Sequence, residues 1–191
     1  MTSKKIKEAA FQLVAQKGYE GTTLAEIAKM VGIKKPSIYA HFSSKEEIFV
    51  TVLQEEVNIF CHYIDRIQVD VQSNHIEKIF MELLKKGMDY FYQDPMKKGF
   101  WRNILFCTCC MLKDQIKTSM IPLKEKIHDT LLLIIKGKVD NGEIQEQNLE
   151  DLVYSFECAM HGNFTMLLYD KFDYEKLKKS CHIYWGGIRK K

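Results

Sequence analysis

Proline and glycine are scarce in this 191-residue chain, three and ten respectively, which leaves little to break helices or to build the dense turns of an all-β fold. No stretch approaches eighteen consecutive apolar residues, and the opening MTSKKIKEAAFQ lacks the apolar run of a secretory signal, so a cytoplasmic protein without membrane contact is expected. The six cysteines, three of them crowded at Cys107, Cys109 and Cys110, do not form a disulfide framework, and reduced thiols are the default. Also missing are a glycine-rich phosphate loop, a G-x-S-x-G nucleophile motif, a His-Glu-x-x-His pair and any strong zinc spacing. Nothing in the sequence calls for an enzyme, a cofactor or a metal.

What is present is a helical composition. Hydrophobic residues make up 46% and charged residues 28%, ordinary values for a folded globular protein. Leu, Ile, Lys, Glu, Met and Phe dominate, and no strand pattern survives inspection. Charge is unevenly spread. Through residue 45, eight lysines face three glutamates, a net of +5, whereas the remainder holds twenty basic and twenty-two acidic residues. A basic first quarter on a slightly acidic body suits a nucleic-acid-binding head joined to a sensing or assembly domain, and equally a solvated lysine-rich face.

Within the head, Ile6, Ala10, Leu13 and Val14 share a helical face, and Gly18 supplies a stop. Thr23 stands three residues before Glu26, a capping box that opens a second helix carrying Leu24, Ile27, Ala28 and Val31 and closing at Gly32. Pro36 suits the first turn of a short third helix, expected over Lys35 to Phe42. There Ile38 and Phe42 are the apolar anchors, which leaves Lys35, Ser37, Tyr39 and His41 pointing outward. Ser44 and Glu47 form a second capping box before a long helix. Two helices joined by a glycine turn, the second polar and basic, make a helix-turn-helix whose second member can enter a major groove. Lysines there can neutralise phosphates, and hydroxyls can bond phosphate oxygens.

The run GYEGTTLAEIAKMVGIKKPSIYAHFSSKEEIF resembles the DNA-binding signature of the TetR (tetracycline repressor) family of transcriptional regulators. The resemblance covers about a quarter of the chain. It implies an all-α protein with a three-helix helix-turn-helix head, here residues 1–46, and a helical ligand-binding and dimerisation bundle, residues 47–191. It further implies a homodimer on a palindromic double-stranded DNA operator, repressing transcription until a small-molecule effector binds. Carried onto this sequence, Thr23 would hold phosphate, Lys34, Lys35, Pro36, Ser37, Tyr39 and His41 would form the recognition surface, and Lys45 would clamp the adjacent backbone. Three positions depart from the pattern: Lys34 where Ser or Thr is frequent, Pro36 where Gly is frequent, and Ala40 where a larger side chain is common. Pro36 removes an amide donor and Ala40 offers only a methyl, so no relative's operator can be borrowed.

Beyond the head, helices are expected to about Gln68, from Ser73 to Gln93, from Asp94-Pro95 onward, from Ile121 to Asp140, from Leu149 to Tyr169, and from Asp173 to about Tyr184. The last two carry Leu152, Phe156, Met160, Phe164, Leu177 and Tyr184, apolar surface that fits either a monomer core or, by the resemblance, a two-fold four-helix bundle. Tyr63, Met88, Trp101, Phe106, Cys110, Glu157 and Met160 are the candidate pocket residues, aromatics and methionines being adaptable linings. Glu157 and His161 lie one turn apart and can pair, or can recognise a cation. Cys107 and Cys110 would share a helical face, as buried thiols or as a thiol sensor.

Overall fold

The computed structural model of the chain describes residues 2–67, 75–107, 110–144, 148–169 and 173–188. Among them the architecture is helical throughout: α1 Thr2–Lys17, α2 Leu24–Val31, α3 Lys35–Ile38, α4 Lys45–Asp65, α5 Ile76–Tyr92, α6 Pro95–Leu105, α7 Lys113–Asp140, α8 Leu149–Tyr169 and α9 Tyr174–Ile188. None of these helices is long and apolar enough to cross a membrane.

Packing divides the chain into two compact units. The first comprises Met1–His62 and Phe91–Leu123, the second Tyr63–Tyr90 and Lys124–Lys191. The basic head is thus part of a larger packing unit that takes in α6 as well.

In the first unit, Ile6, Ala10, Leu13 and Val14 of α1 are buried with Ile27, Ile38, Phe42, Ile48 and Phe49. The amphipathic spacing read from the sequence therefore buries as expected. α6 lies close on α1. A Cβ built on Gly99 would fall 2.6 Å from the Ala15 carbonyl oxygen, so only glycine lets the two backbones approach this way. One turn on, the Asn103 side-chain amide donates to the carbonyls of Val14 (2.7 Å) and Ala15 (3.1 Å), two acceptors at the end of α1. Phe11 and Phe100 pack beside this seam with ring centroids 5.0 Å apart.

The second unit has an aromatic core. Phe156 stands 4.6 Å from Trp185 and 5.3 Å from Phe80, centroid to centroid, and all three rings are buried. Glu143 fastens the start of α5 by accepting from the Ile76 amide (2.7 Å), and it also pairs with Lys138 (3.1 Å), whose ammonium is buried. Burial alone would raise the Glu143 pKa, but these donors outweigh it and hold the carboxyl below its ordinary value.

Several boundaries differ from expectation. α7 begins at Lys113, eight residues before Ile121, and runs straight through Pro122. A helix start at Ile121 would put Pro122 in the first turn, but it sits in the helix interior, where its missing N–H leaves the Thr118 carbonyl without its helical partner. α6 ends at Leu105 and residues 110–112 form a separate 3-10 turn, so Cys107 and Cys110 do not ride one helix as expected. Cys109, Gln68 and Ser73 lie outside the described residues, as does the side chain of Cys110.

Candidate nucleic-acid interface

The head is built from its caps. Thr23 accepts from the Glu26 amide (3.3 Å), and the Glu26 carboxylate reaches back to the Thr23 amide (3.0 Å), closing the capping box of α2. The Glu26 carboxylate also pairs with Lys17, and this partner with the Thr23 hydroxyl draws its pKa down to about 2. At the other end of α2, Gly32 takes φ 76°, ψ 31°. Its amide donates to the Lys29 carbonyl at 3.2 Å, while the Ile33 amide reaches Ala28 at 3.0 Å. That bond pair is a Schellman stop, and it demands the left-handed backbone that glycine supplies without strain.

The next segment carries the recognition surface. α3 proper is only Lys35–Ile38, shorter than the expected Lys35 to Phe42. Bonds from Tyr39 to Pro36 (3.2 Å) and from His41 to Ile38 (2.9 Å) keep the backbone wound in tighter turns to Phe42. Ile38 and Phe42 are buried, and they hold the strip against the core. Lys34, Lys35, Pro36, Ser37, Tyr39, Ala40 and His41 are all exposed, Tyr39 at 52%. An exposed tyrosine between two anchored apolar residues is placed to touch a partner rather than to fill the core. Lys34 stands at the N-cap of α3, where its ammonium, a donor only, makes no cap bond.

Lys45 is used differently. Its ammonium donates to the carbonyls of Tyr19 and Thr22, both at 3.0 Å, and lies 3.9 Å from the centre of the Tyr19 ring. Two of its three donors are therefore committed to the chain itself. The neighbouring Glu46 accepts from the Tyr19 hydroxyl at 2.8 Å, a bond that lowers the Glu46 pKa. Thr22, also buried, donates to the Gly18 carbonyl at 2.8 Å. Gly18, Tyr19, Thr22, Lys45 and Glu46 thus tie the loop after α1 to the start of α4. At that start Ser44 caps the Glu47 amide (3.1 Å), but the Glu47 carboxylate returns to Ser43 (2.6 Å), one residue earlier than in the box expected from the sequence.

The candidate pocket residues fall in both units. Trp101 and Phe106 belong to the first unit, Tyr63, Met88, Glu157 and Met160 to the second. Trp101 and Met88 are buried, whereas Phe106 is 40% exposed. Tyr63 donates to the Lys86 carbonyl at 2.7 Å and packs on Tyr90 at 4.9 Å. Glu157 pairs with His128 of α7 at 3.1 Å, and not with His161, which is exposed. No three His, Cys, Asp or Glu among the described residues cluster to hold a metal ion.

With this geometry in place, the comparisons with known proteins fall into line. Residues 6–52 match the family model of bacterial regulatory proteins, tetR family. The chain is 40% identical over 129 residues to the Staphylococcus epidermidis regulator IcaR, a stretch that makes up 67% of this chain and 66% of IcaR. This chain belongs to the TetR family. The relatives and the fold are those of DNA-binding transcriptional regulators, not of enzymes. A helix-turn-helix regulator of Staphylococcus aureus is 30% identical over 47% of this chain and 45% of its own length, so the chain spans less than two thirds of the curated relatives it matches. Solved structures extend the likeness in fold over nearly the whole chain. A transcriptional regulator of Saccharomonospora viridis in complex with choline has a TM-score of 0.76 at 17% identity, covering 99% of this chain and 98% of that one. FadR of Bacillus subtilis in complex with stearoyl-CoA has 0.69 at 20%, covering 93% and 94%. All-α architecture with an N-terminal helix-turn-helix is the TetR fold.

Proposed function

We propose that this TetR-family protein is a cytoplasmic repressor that binds a palindromic operator as a homodimer and leaves it when a small molecule binds the helical body. Residues 1–46 form the DNA-binding head in this reading, and 47–191 the ligand-binding and dimerisation part. The observation that carries it is the exposed strip from Lys34 to His41, anchored from beneath by Ile38 and Phe42. Lys34, Lys35 and the Ser37 hydroxyl supply phosphate contacts, joined by Thr23 once its hydroxyl proton turns from the Glu26 carboxylate to a phosphate, with Tyr39 and His41 at the base edges. Lys45 acts first as the strut that positions the strip, with one N–H left for a phosphate.

Dimerisation is supported by exposed apolar residues on α8 and α9, Ile183 at 77% and Met166 at 64% among them, the latter lining a cleft of about 570 Å³ that also takes in Gly162. IcaR is by name a negative regulator of a biofilm operon, which supports repression. Effector binding is supported by the relatives crystallised with choline and with stearoyl-CoA. The residues proposed for effector contact are Trp101, Phe106 and Cys110 of the first unit and Tyr63, Met88, Glu157 and Met160 of the second.

Selection of bound fragments from random duplexes tests the reading without knowledge of the effector. Enrichment of one palindrome is expected, and Tyr39→Ala should weaken its binding while leaving the dimer intact. A folded, dimeric protein that enriches no sequence over background would refute it.

A further inference from the structure

Away from the recognition strip, the first unit contains a cleft of about 400 Å³ between α1, α4 and the start of α6, within the size range of small-molecule sites, about 300–1,000 Å³. Phe11, Val52, Ile59 and Met96 give it apolar walls. Its charged groups are Lys4, Lys7 and Glu8 from α1, Glu55 and Glu56 from α4, and Asp94 at the cap of α6. Most of these have partners. Lys4 pairs with Glu8 at 3.8 Å, Lys7 pairs with Glu55, and the Asp94 carboxylate accepts from the amides of Met96 (2.9 Å) and Lys97 (3.2 Å).

Glu56 is the exception. Only 9% of the residue is exposed, and its Oε2 is shut away from solvent with no hydrogen-bond partner among the described residues. A buried carboxylate oxygen left this way is costly unless something donates to it. The two cleft lysines are already engaged with other carboxylates, and Lys97 of α6 supplies charge without a hydrogen bond to this oxygen. With Glu56 ionised, the four acids of the lining outnumber its two lysines and Lys97 by one charge, which favours a cation over an anion.

We infer that this cleft binds a small organic ammonium ion, with an N–H of the ligand on the orphaned Glu56 oxygen and its apolar body against Phe11, Val52, Ile59 and Met96. The inference does not depend on the operator reading, because the cleft is separate from the recognition strip and its occupancy is measured without DNA. Burial raises the Glu56 pKa to about 7, with Lys97 opposing and Asp94 and Glu55 adding to the rise. Only the ionised carboxylate attracts the cation, so binding should weaken as pH falls through this value. A site governed by a group titrating near 7 loses about tenfold in affinity between pH 8 and pH 6.

Calorimetric titration of the full chain with phenethylammonium chloride, in about 0.15 M salt to suppress diffuse attraction, tests this. One saturable site is expected, about tenfold tighter at pH 8 than at pH 6. The neutral isostere 2-phenylethanol should bind at least tenfold more weakly. Glu56→Gln, which keeps shape and removes charge, should abolish both the tight binding and its pH dependence. Gln12→Trp places bulk at the exposed rim of the cleft, leaves Glu56 intact, and should also abolish binding. No saturable heat with the native chain, equal affinity for the alcohol, or unchanged affinity in either folded variant would overturn the inference.

Discussion

Replacing Gly99 by alanine sets two backbones against each other. The new Cβ would lie 2.6 Å from the Ala15 carbonyl oxygen, and ordinary contact begins at 3.4 Å, so α6 must withdraw from α1 by about 0.8 Å. The Asn103 amide rides the same helix, and its bonds of 2.7 and 3.1 Å to Val14 and Ala15 would stretch to or past the limit of a hydrogen bond. Overpacking costs about 1–3 kcal/mol, and loosening those bonds adds about 1 kcal/mol. The better helix propensity of alanine returns about 1 kcal/mol. The net loss should be about 1–3 kcal/mol, a drop in thermal midpoint of about 2–12 °C for a chain of this size. Gly137 provides the control. It is helical and exposed, and a Cβ there would meet nothing within 4 Å, so Gly137→Ala should gain about 0.5–1 kcal/mol from propensity alone. Thermal unfolding followed by far-ultraviolet circular dichroism reads both. If Gly99→Ala melts at or above the parent, the close approach of α1 and α6 does not hold the first unit together.

Other substitutions separate roles that composition alone would merge. Lys34→Ala should lower the salt dependence of DNA binding by about one phosphate contact per head. Lys45→Met should lower that slope by no more than Lys34→Ala does and, unlike it, destabilise the protein by about 1.5–3 kcal/mol or more as the Tyr19 and Thr22 carbonyls lose a charged donor; fluorescence anisotropy over a salt series and a melting curve distinguish the two. Phe156→Ala, at the centre of the aromatic core of the second unit, should cost about 3–5 kcal/mol in urea denaturation. For Glu56 the pH dependence has a definite sign. The folded state holds its proton up to about 7 against an ordinary 4.5, so its contribution to stability falls as pH rises from 4.5 through 7 and is level above that. Glu56→Gln should therefore raise the melting temperature most at pH 8 and least at pH 5. A gain that does not vary with pH would contradict this account of the buried carboxyl.

Local signals in the sequence were the dependable ones. The Thr23–Glu26 box, the stop at Gly32, the start at Asp94-Pro95 and the span of α8 depend on residues within a few positions of each other, and the structure has them as read. Partners distant in sequence were not legible. The part Lys45 plays as a strut was hidden, because its carbonyl acceptors at Tyr19 and Thr22 lie more than twenty positions away. Glu157 and His161 were one helical turn apart and so an obvious pair, yet α7 brings His128 closer. The helix start expected at Ile121 would have put Pro122 in the first turn, whereas nine helical residues precede it. Gly99 and Glu56 gave no local sign of their importance. One is defined by the backbone against it and the other by a missing donor, and neither can be read along a single helix.

The residues that spell out the family resemblance largely face one another. Gly18, Tyr19, Thr22, Lys45 and Glu46 form an internal brace, whereas the positions from Lys34 to His41 that look outward take no part in it. Frame and alphabet are therefore carried by separate sets of side chains. If the outward letters are what reads DNA, they can be rewritten without touching a bond of the brace that presents them, and a new target sequence requires changes only on that surface.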